Sequence, residues 1–457
     1  MARPNGIGRP AASDPVTAAA RAALSNGGPI ESRRLSPRQL VLLVVGVGIG
    51  VGIRAILLPV DGFRSDIDQF ALWVHGIAID GLPRAYDQDL TFGPIMALIW
   101  GALATIEPAF RVATDASDPV IRALMRAPAS IADIGLALLV GHALRARPRW
   151  AIVAAIAIVL HPAVILISGW WGQYESIYLL SALGAVVFAI NGRNGPAAAL
   201  VAVSLMTKPQ ALPFILPFAA WFWATGGWRE VARAAVIGLG VIVVLWLPFI
   251  PAGGPMAYLG NLAHYQSGVF AILSLRAWNA WWLVQELATG GKFIADDVAF
   301  LGPLALRHVG YAVTALLSLL VALAIARDPR PRTLILGLAS ATLVSFSFLT
   351  SMHERYSYGA LIFLLLLMPD IRMRWLGLAF GIVFTLNILA AVPPTPEIGA
   401  LLPISGPLGI AGSIAMLTIT GVALVLLLSR SHDRRAADHL RAIDESVRQQ
   451  RRPVEDP

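Results

Sequence analysis

Apolar residues in this chain fall in long runs with short polar breaks between them. They neither alternate nor keep to one helical stripe. Between Gln39 and Ser429 many of these runs are of roughly 17–25 residues, and a helix needs about 20 such residues to cross the hydrocarbon of a bilayer. Inside lipid every backbone N–H and C=O must be paired within the segment, so the runs are read as helices. The alternating pattern of a membrane β-barrel, in segments of roughly ten residues, is absent. The pattern therefore predicts an all-α, polytopic transmembrane helical bundle.

Positive charge orients the helices. Arg33, Arg34 and Arg38 precede the first span, Gln39 to Val60, and set the N-terminus inside. Arg145 to Arg149, Arg193, Arg229 to Arg233, Arg327 to Arg332, Arg372 to Arg374 and the tail from Arg430 mark further inner segments. Two apolar stretches lie between Val60 and Arg145, but only an odd number of crossings returns the chain to the inside. Thr91 to Ile106 is the shorter, and is read as a juxtamembrane helix on the outer interface rather than a span. The remaining spans are 128–144, 150–168, 175–191, 196–207, 210–225, 231–250, 306–326, 333–350, 357–370, 375–392 and 408–429. With the first they make about twelve crossings, with both termini cytoplasmic. The transmembrane domain is 39–429, with long outer segments at 61–127 and 251–305. Residues 1–38, rich in Ala, Pro, Gly, Ser and Arg, read as a disordered cytoplasmic tail with no signal peptide. Residues 430–457 mix basic and acidic residues in a helical pattern and read as a charged cytoplasmic tail.

Composition narrows the function. The 457 residues are 57% hydrophobic and 14% charged, with mean hydropathy +0.70, whereas a soluble domain carries roughly 25% charge. The net charge of +8 is spread over loops and tails rather than one face, which argues against a nucleic-acid partner. With no cysteine in the chain, disulfides, thiol catalysis and thiolate metal sites are excluded.

Four polar clusters fall on the predicted outer face. They are Asp66-Ile67-Asp68-Gln69-Phe70 with Trp73 beyond it, Trp170 to Ser176, Thr207-Lys208-Pro209-Gln210, and His353-Glu354-Arg355-Tyr356. Lys208, His353 and Arg355 lie beside hydrocarbon and can hold an anion, for which a lipid phosphate has the right depth. Asp66 is positioned to act as a general base. A base beside a phosphate clamp suits group transfer in which the phosphate leaves. Each cluster also has a plainer reading. Asp66, Asp68 and Glu175 can cap helices, Trp170 and Trp171 can anchor at the interface, Lys208 can snorkel, and His353 to Arg355 can end a solvated helix. A metal held by Asp66, Asp68, Glu175 and His353 has no defining ligand spacing. A transporter or lipid flippase would favour repeats and midplane sites, and no repeat is evident. A non-catalytic lipid-binding scaffold is the third alternative. Arg54 and Asp133 each lie roughly 8–9 Å inside their spans, and are expected to pair with each other.

The order of these clusters resembles the GT-C superfamily of polytopic membrane glycosyltransferases, which use polyprenyl-phosphate sugars. The likeness is nearest to the glucosyltransferases of N-glycan assembly and to bacterial polyprenol-phosphate-mannose-dependent enzymes. It is carried by Asp66 seven residues before Trp73, and by His161-Pro162-Ala163-Val164-Ile165-Leu166 followed by Gln173-Tyr174. Lys208-x-Gln210, His353-Glu354, Leu124-Met125-Arg126 with Ala132-Asp133, and Leu273-Ser274-Leu275-Arg276-Ala277-Trp278-Asn279 complete it. Glu175 departs from the pattern, standing where eukaryotic relatives tend to have Asn and many bacterial ones Asp. The resemblance implies an inverting hexosyltransferase of the plasma membrane, of bacterial type, with its active site outside. The donor would be polyprenyl-phosphate mannose or glucose, and the acceptor lipid-linked or a glycan. Asp66 would take the acceptor's proton. Lys208, His353 and Arg355, with Arg276 and Arg126, would hold the donor phosphate or lipid. Asp68, Trp73, Gln173, Tyr174, Glu175, Gln210 and Glu354 would bind the acceptor or orient the others. No metal or other cofactor is expected.

Overall fold

The computed structural model describes the backbone of residues 36–268 and 270–450, and the side chains as far as residue 429. The tail expected over 1–38 lies outside the described residues up to residue 35, as do 451–457 of the other tail. The described chain is helical almost throughout, in keeping with the all-α polytopic reading.

Helix α1 (Pro37–Leu57) starts at a capping box, in which Ser36 Oγ accepts from the Gln39 backbone N–H and Gln39 Oε1 accepts from that of Ser36. Then come α2 (Arg64–Asp80), α3 (Pro94–Ile106), α4 (Pro119–Ala143) and α5 (Pro148–Leu160). Proline opens most of these helices, where its missing N–H would have no intrahelical partner anyway. Pro162 starts α6 (Pro162–Ile165), which runs on into a π-helical turn, Leu166–Trp171, bent 47° from α5. Next are α7 (Glu175–Ile190), α8 (Asn194–Leu205) and the long α9 (Ile215–Trp246), then α10 (Gly254–Ser267), α11 (Ala280–Thr289), α12 (Leu306–Arg327) and α13 (Pro331–Phe348). Finally come α14 (Tyr358–Leu366), α15 (Ile371–Ala391), α16 (Pro396–Leu401) and α17 (Pro407–Gln450), the last carrying the helix into the charged tail. Strands are minimal. β1 (Ser274–Leu275) pairs with β4 (Met352–His353), and β2 (Ala299–Leu301) with β3 (Leu304–Ala305).

The sequence pattern predicts twelve crossings. Among the described residues seven helices are long and apolar enough to span, or eight counting the bent α5–α6 pair. The difference lies partly in length. Helices α7, α8 and α14 have 16, 12 and 9 residues, or about 24, 18 and 14 Å, short of a hydrocarbon core of about 30 Å. It lies also in α9, a single helix across the two predicted spans 210–225 and 231–250. That helix is broken at Gly227 (φ 67°), in the turn expected between them. Helix α3, at 13 residues, is as short as its reading as a juxtamembrane helix requires.

Burial grades across the bundle. All of α14 and nearly all of α13 is buried, whereas α1 and α9 expose Val41, Val44, Val236 and Leu239 outward. Apolar side chains facing out of a bundle of apolar helices are what a lipid solvent accepts. Two charges inside the bundle pair with each other. Arg54 on α1 donates from Nη2 to Asp133 Oδ2 on α4 at 2.7 Å and from Nη1 to the Val159 carbonyl at 2.7 Å. Asp133 also accepts from Ser168, Ser176 and Tyr358. The expected pair is present and ties six helical segments together.

The basic loops gather at one end. Arg332 meets Asp370 at 2.6 Å, the Arg374 guanidinium lies 4.1 Å from the Trp150 ring centroid, and Glu230 beside α8 holds Arg233 at 2.6 Å.

Candidate active site

At the opposite end of these helices lies a cavity of about 450 Å³. Each of the four polar clusters contributes to its wall. Asp66, Gln69 and Trp73 come from one face of α2, and Gln173 from the turn before α7. Lys208 and Gln210 come from the turn before α9, and His353, Arg355 and Tyr356 from the turn after β4. Two close backbone contacts hold the turns in place. The Gly93 and Ile95 N–H groups at the start of α3 donate to the Thr207 and Met206 carbonyls at 3.2 and 3.1 Å, next to Lys208. A Cβ on Gly93 would lie 2.1 Å from the Met206 oxygen, so this approach requires glycine.

Asp66 is in the first turn of α2, where the helix N-terminus favours a carboxylate. Its Oδ2 accepts from Trp171 Nε1 at 3.0 Å and from Gln173 Nε2. The same α6–α7 turn thus supplies both donors. Among the described residues no hydrogen bond reaches Oδ1, and the half-buried carboxylate borders the cavity. One oxygen is fixed and the other is free to accept a proton.

The cations form a second constellation, built on Glu175. This carboxylate is fully buried at the N-terminus of α7, and its Oε1 accepts from Lys208 Nζ at 2.5 Å and from Arg355 Nε at 3.2 Å. Arg355 Nη1 also donates to Glu354 Oε1 at 3.1 Å and to His353 Nδ1 at 3.3 Å. Aromatic faces enclose the pair. Arg355 lies 4.6 Å from the Trp171 ring centroid and Lys208 5.2 Å from that of Phe92. Burial lowers the Lys208 ammonium's pKa, and Glu175 opposes that shift. Burial raises the Glu354 carboxyl, against the pull of Arg355. Burial, Arg355 and Lys208 together hold His353 well below the ordinary histidine value, so the ring is neutral. Since guanidinium only donates, Nδ1 is the acceptor and Nε2 carries the proton. Nε2 is buried with no hydrogen-bond partner among the described residues, in a side chain that borders the cavity. The arrangement therefore offers an anion two cations and an unused N–H donor.

The other expected site residues divide. Trp73 and Gln210 line the cavity; Gln210 hydrogen-bonds Tyr356 and leaves its buried Oε1 unpaired. Asp68 does not line it, and instead accepts from Arg64 and from the Ala116 N–H, both at 2.9 Å, holding α2 to the loop before α4. Tyr174 is enclosed by Phe70, Phe92 and Trp100 and donates to the Met125 carbonyl at 2.8 Å, a packing position. Arg126, expected at the donor phosphate, lies fully buried behind α1. Its guanidinium donates to the carbonyls of Leu57, Leu58, Val60 and Asp61. The helix ends at Leu57, whose carbonyl also accepts from the Val60 N–H, and the other three carbonyls lie just past that end, where a helix can no longer supply donors. Arg276, also expected there, is exposed, has φ 61°, and donates to the Ala391 carbonyl at 3.0 Å. Only its backbone reaches the cluster, through a bridge to His353. Asp66, Asp68, Glu175 and His353 do not converge, and among the described residues no three His, Asp or Glu side chains are grouped to hold a metal ion.

Three residues escape the sequence reading. Tyr265 and Gln266, at the end of α10, line the cavity, and Asp89 accepts from Trp73 Nε1 at 2.6 Å and from the Tyr265 hydroxyl at 2.8 Å. The only signal in the sequence is that they fall in the two long polar segments.

No individually curated protein matches this chain. A family does match over residues 109–393, more than half of the sequence. The match takes in Glu175, Lys208, His353 and Arg355 and begins after Asp66. By that match the chain belongs to the ALG6, ALG8 glycosyltransferase family, membrane enzymes that take a sugar from a lipid-linked donor.

Proposed function

We propose that this protein transfers a hexose, mannose or glucose, from a polyprenyl-phosphate donor to a hydroxyl of a lipid-linked or glycan acceptor, with inversion at the anomeric carbon. The observation that carries the proposal is one cavity bordered by two complementary features: Asp66, with Oδ1 unbonded, and the Lys208–Arg355 pair. In the proposed step Asp66 Oδ1 takes the proton of the acceptor hydroxyl as its oxygen forms a bond to the sugar's anomeric carbon. The bond from that carbon to the phosphate oxygen breaks, and the electron pair leaves with polyprenyl phosphate. Lys208, Arg355 and the His353 Nε2–H stabilise the negative charge that grows on the leaving phosphate. Glu175 holds the two cations in register, and Glu354 and Gln173 orient Arg355 and Asp66.

The active site is assigned to the outer face of a plasma membrane of bacterial type, with both termini cytoplasmic. The gathering of Arg233, Arg332 and Arg374 at the opposite end supports that orientation.

The test is a purified-protein assay with labelled polyprenyl-phosphate mannose and glucose. Wild type should release polyprenyl phosphate in step with sugar transfer. Asp66→Asn should fold normally and lose about 10²–10⁴-fold in kcat, the usual worth of a positioned base. Turnover of the Asn variant within a few-fold of wild type would overturn the assignment, and movement of lipid without bond cleavage would support a flippase instead.

A further inference from the structure

Among the described residues only two other than glycine have positive φ, Arg276 and Ser351, each at 61°. Residues with a Cβ seldom take that conformation. Both stand at the short pairing that presents His353. Leu275 of β1 pairs in parallel with His353 of β4, and Arg276, the next residue, bridges to His353 in the antiparallel sense. The left-handed turn at Arg276 changes the direction of the chain between the two pairings. Just before β4, the Ser351 N–H donates to the Ile272 and Leu273 carbonyls at 3.0 and 3.1 Å, and the Ser351 hydroxyl donates to the Phe270 carbonyl. Backbone in so sparse a conformation persists only where its surroundings hold it. For Arg276 the holding group comes from another helix. Asn387 is fully buried on α15, four residues before its last and so about 6 Å inside it. Its Nδ2 donates to the Arg276 carbonyl at 2.9 Å, and its Oδ1 accepts from the Trp278 N–H at 3.1 Å. The side-chain amide thus brackets the turn with one donor and one acceptor, as a neighbouring strand would. The Arg276 side chain is exposed and adds one bond, to the Ala391 carbonyl at the end of the same helix.

We propose that Asn387 is a positioning residue for the phosphate side of the cavity. By holding Arg276 in the left-handed conformation it sets the backbone of His353, and with it the aim of the His353 Nε2–H. The ring is then confined edge-to-face between Phe270 and Tyr356, with centroids 5.4 and 5.1 Å away. Asn387 itself does not line the cavity and acts only through the backbone. The inference rests on the transferase reading above for the identity of the anion, whereas the link from Asn387 to His353 is mechanical and stands apart from it. It also gives a reason for an amide inside an otherwise apolar helix, where a polar side chain is expensive unless it has partners.

Two substitutions at Arg276 isolate the backbone. Arg276→Gly and Arg276→Val both lose the guanidinium, but glycine takes φ 61° freely and a β-branched residue does not. Binding of undecaprenyl phosphate, followed by calorimetry on purified protein, needs no turnover. It should be about tenfold weaker in the Val variant than in the Gly variant, the loss of roughly one hydrogen bond. Donor KM should differ in the same way, with acceptor KM equal in the two. Asn387→Ala should show the same donor-side loss. Adding Arg276→Gly to it should recover at least about threefold, because glycine keeps the turn without being held. Hydrogen exchange of the 351–356 amides should follow, faster in Asn387→Ala and slower again in the double variant. Equal phosphate binding by the Gly and Val variants would overturn the proposal. So would a loss in Asn387→Ala that Arg276→Gly leaves untouched, which would mark Asn387 as a packing residue. If Asn387→Ala does not fold, the exposed Arg276 pair decides the question. The expected binding pattern without sugar transfer to any acceptor would leave Asn387 in its role and overturn the transferase mechanism. A wild type that binds no undecaprenyl phosphate would overturn the donor assignment, and the exchange rates alone would then uphold or overturn the link to His353.

Discussion

Lys208 Nζ lies 2.5 Å from Glu175 Oε1, and both side chains are almost completely removed from solvent. Two segments 33 residues apart in sequence thus meet through opposite charges that cannot be hydrated there. An unpaired ammonium in such a place would lose its proton. Glu175 opposes that loss, and it does so while also holding Arg355, 180 residues away. One oxygen of the Glu175 carboxylate thus reaches both cations.

This gives the first prediction. Glu175→Gln should lower stability by about 3–5 kcal/mol, the cost of leaving buried charge uncompensated. It should also lower the Lys208 pKa, because Glu175 does more than Asp66 to raise it. Donor binding requires the ammonium, so the alkaline limb of the donor KM profile should move to lower pH. Glu175→Asp, which keeps the charge, should retain more of the wild-type profile. Chemical denaturation and donor KM measured across pH test both parts, and an unmoved limb in the Gln variant would remove Glu175 from this role.

His353 supplies the second prediction. Its ring is held neutral in the fold, below its ordinary value of 6.5, first by burial and then by Arg355 and Lys208. In the unfolded chain the ring takes up a proton as pH falls through about 6.5, while the folded protein does not. The unfolded state then binds more protons, so wild type should lose stability relative to His353→Gln as pH falls from about 6.5 towards 5. Glu354 has the opposite sign, its raised carboxyl costing stability as pH rises from 4.5, but it is common to both proteins and cancels in the difference. Parallel stability curves for the two proteins would show that the ring titrates normally.

Arg126 is predicted to be structural. Its guanidinium is committed to four carbonyls at the end of α1. Gly62, at φ +61°, lies so close that a Cβ there would fall 2.3 Å from Arg126 Nη2. Arg126→Ala should cost about 3 kcal/mol, as buried acceptors lose a charged donor. Donor KM should change by less than about twofold, against a rise of about tenfold or more for Lys208→Ala. Thermal unfolding and transfer assays on the two variants separate the cases.

The contrast between Arg126 and Lys208 shows where sequence reading stops. Both are cations in apolar surroundings, and both stand in recognisable motifs. One meets a side-chain carboxylate and the other backbone carbonyls, which look alike in any sequence. Asp89 is hidden for a related reason. It stands among Asp87 and Gln88 in an ordinary polar loop, and Tyr265, which gives it meaning, is 176 residues away. Lys208, His353 and Arg355 were legible because each interrupts long apolar runs, where a charge has few neutral explanations. Helix α3 was legible for a topological reason: counting it as a span would have put Arg145 to Arg149 outside. The span count was less so, because α7, α8 and α14 are apolar but too short to cross the hydrocarbon core.

The buried pair Arg54–Asp133 allows a prediction that tests the bundle rather than the site. The pairing was expected because each charge stands alone in its apolar run, and the structure joins them by two hydrogen bonds, at 2.7 and 3.1 Å. Neither residue is in contact with the pair alone. Asp133 also accepts from Ser168, Ser176 and Tyr358, and Arg54 also donates to the Gly50 and Val159 carbonyls. Arg54→Met should therefore leave a buried carboxylate with three hydroxyl donors, and Asp133→Leu a buried guanidinium with two carbonyls. Each should cost about 3–5 kcal/mol. The double variant removes both charges but strands three hydroxyls and two carbonyls. It should recover part of the summed loss, a coupling of roughly 1–3 kcal/mol. Purified variants compared by denaturant titration in one detergent would give the cycle. Simple additivity of the two losses would mean that the charges do not stabilise each other.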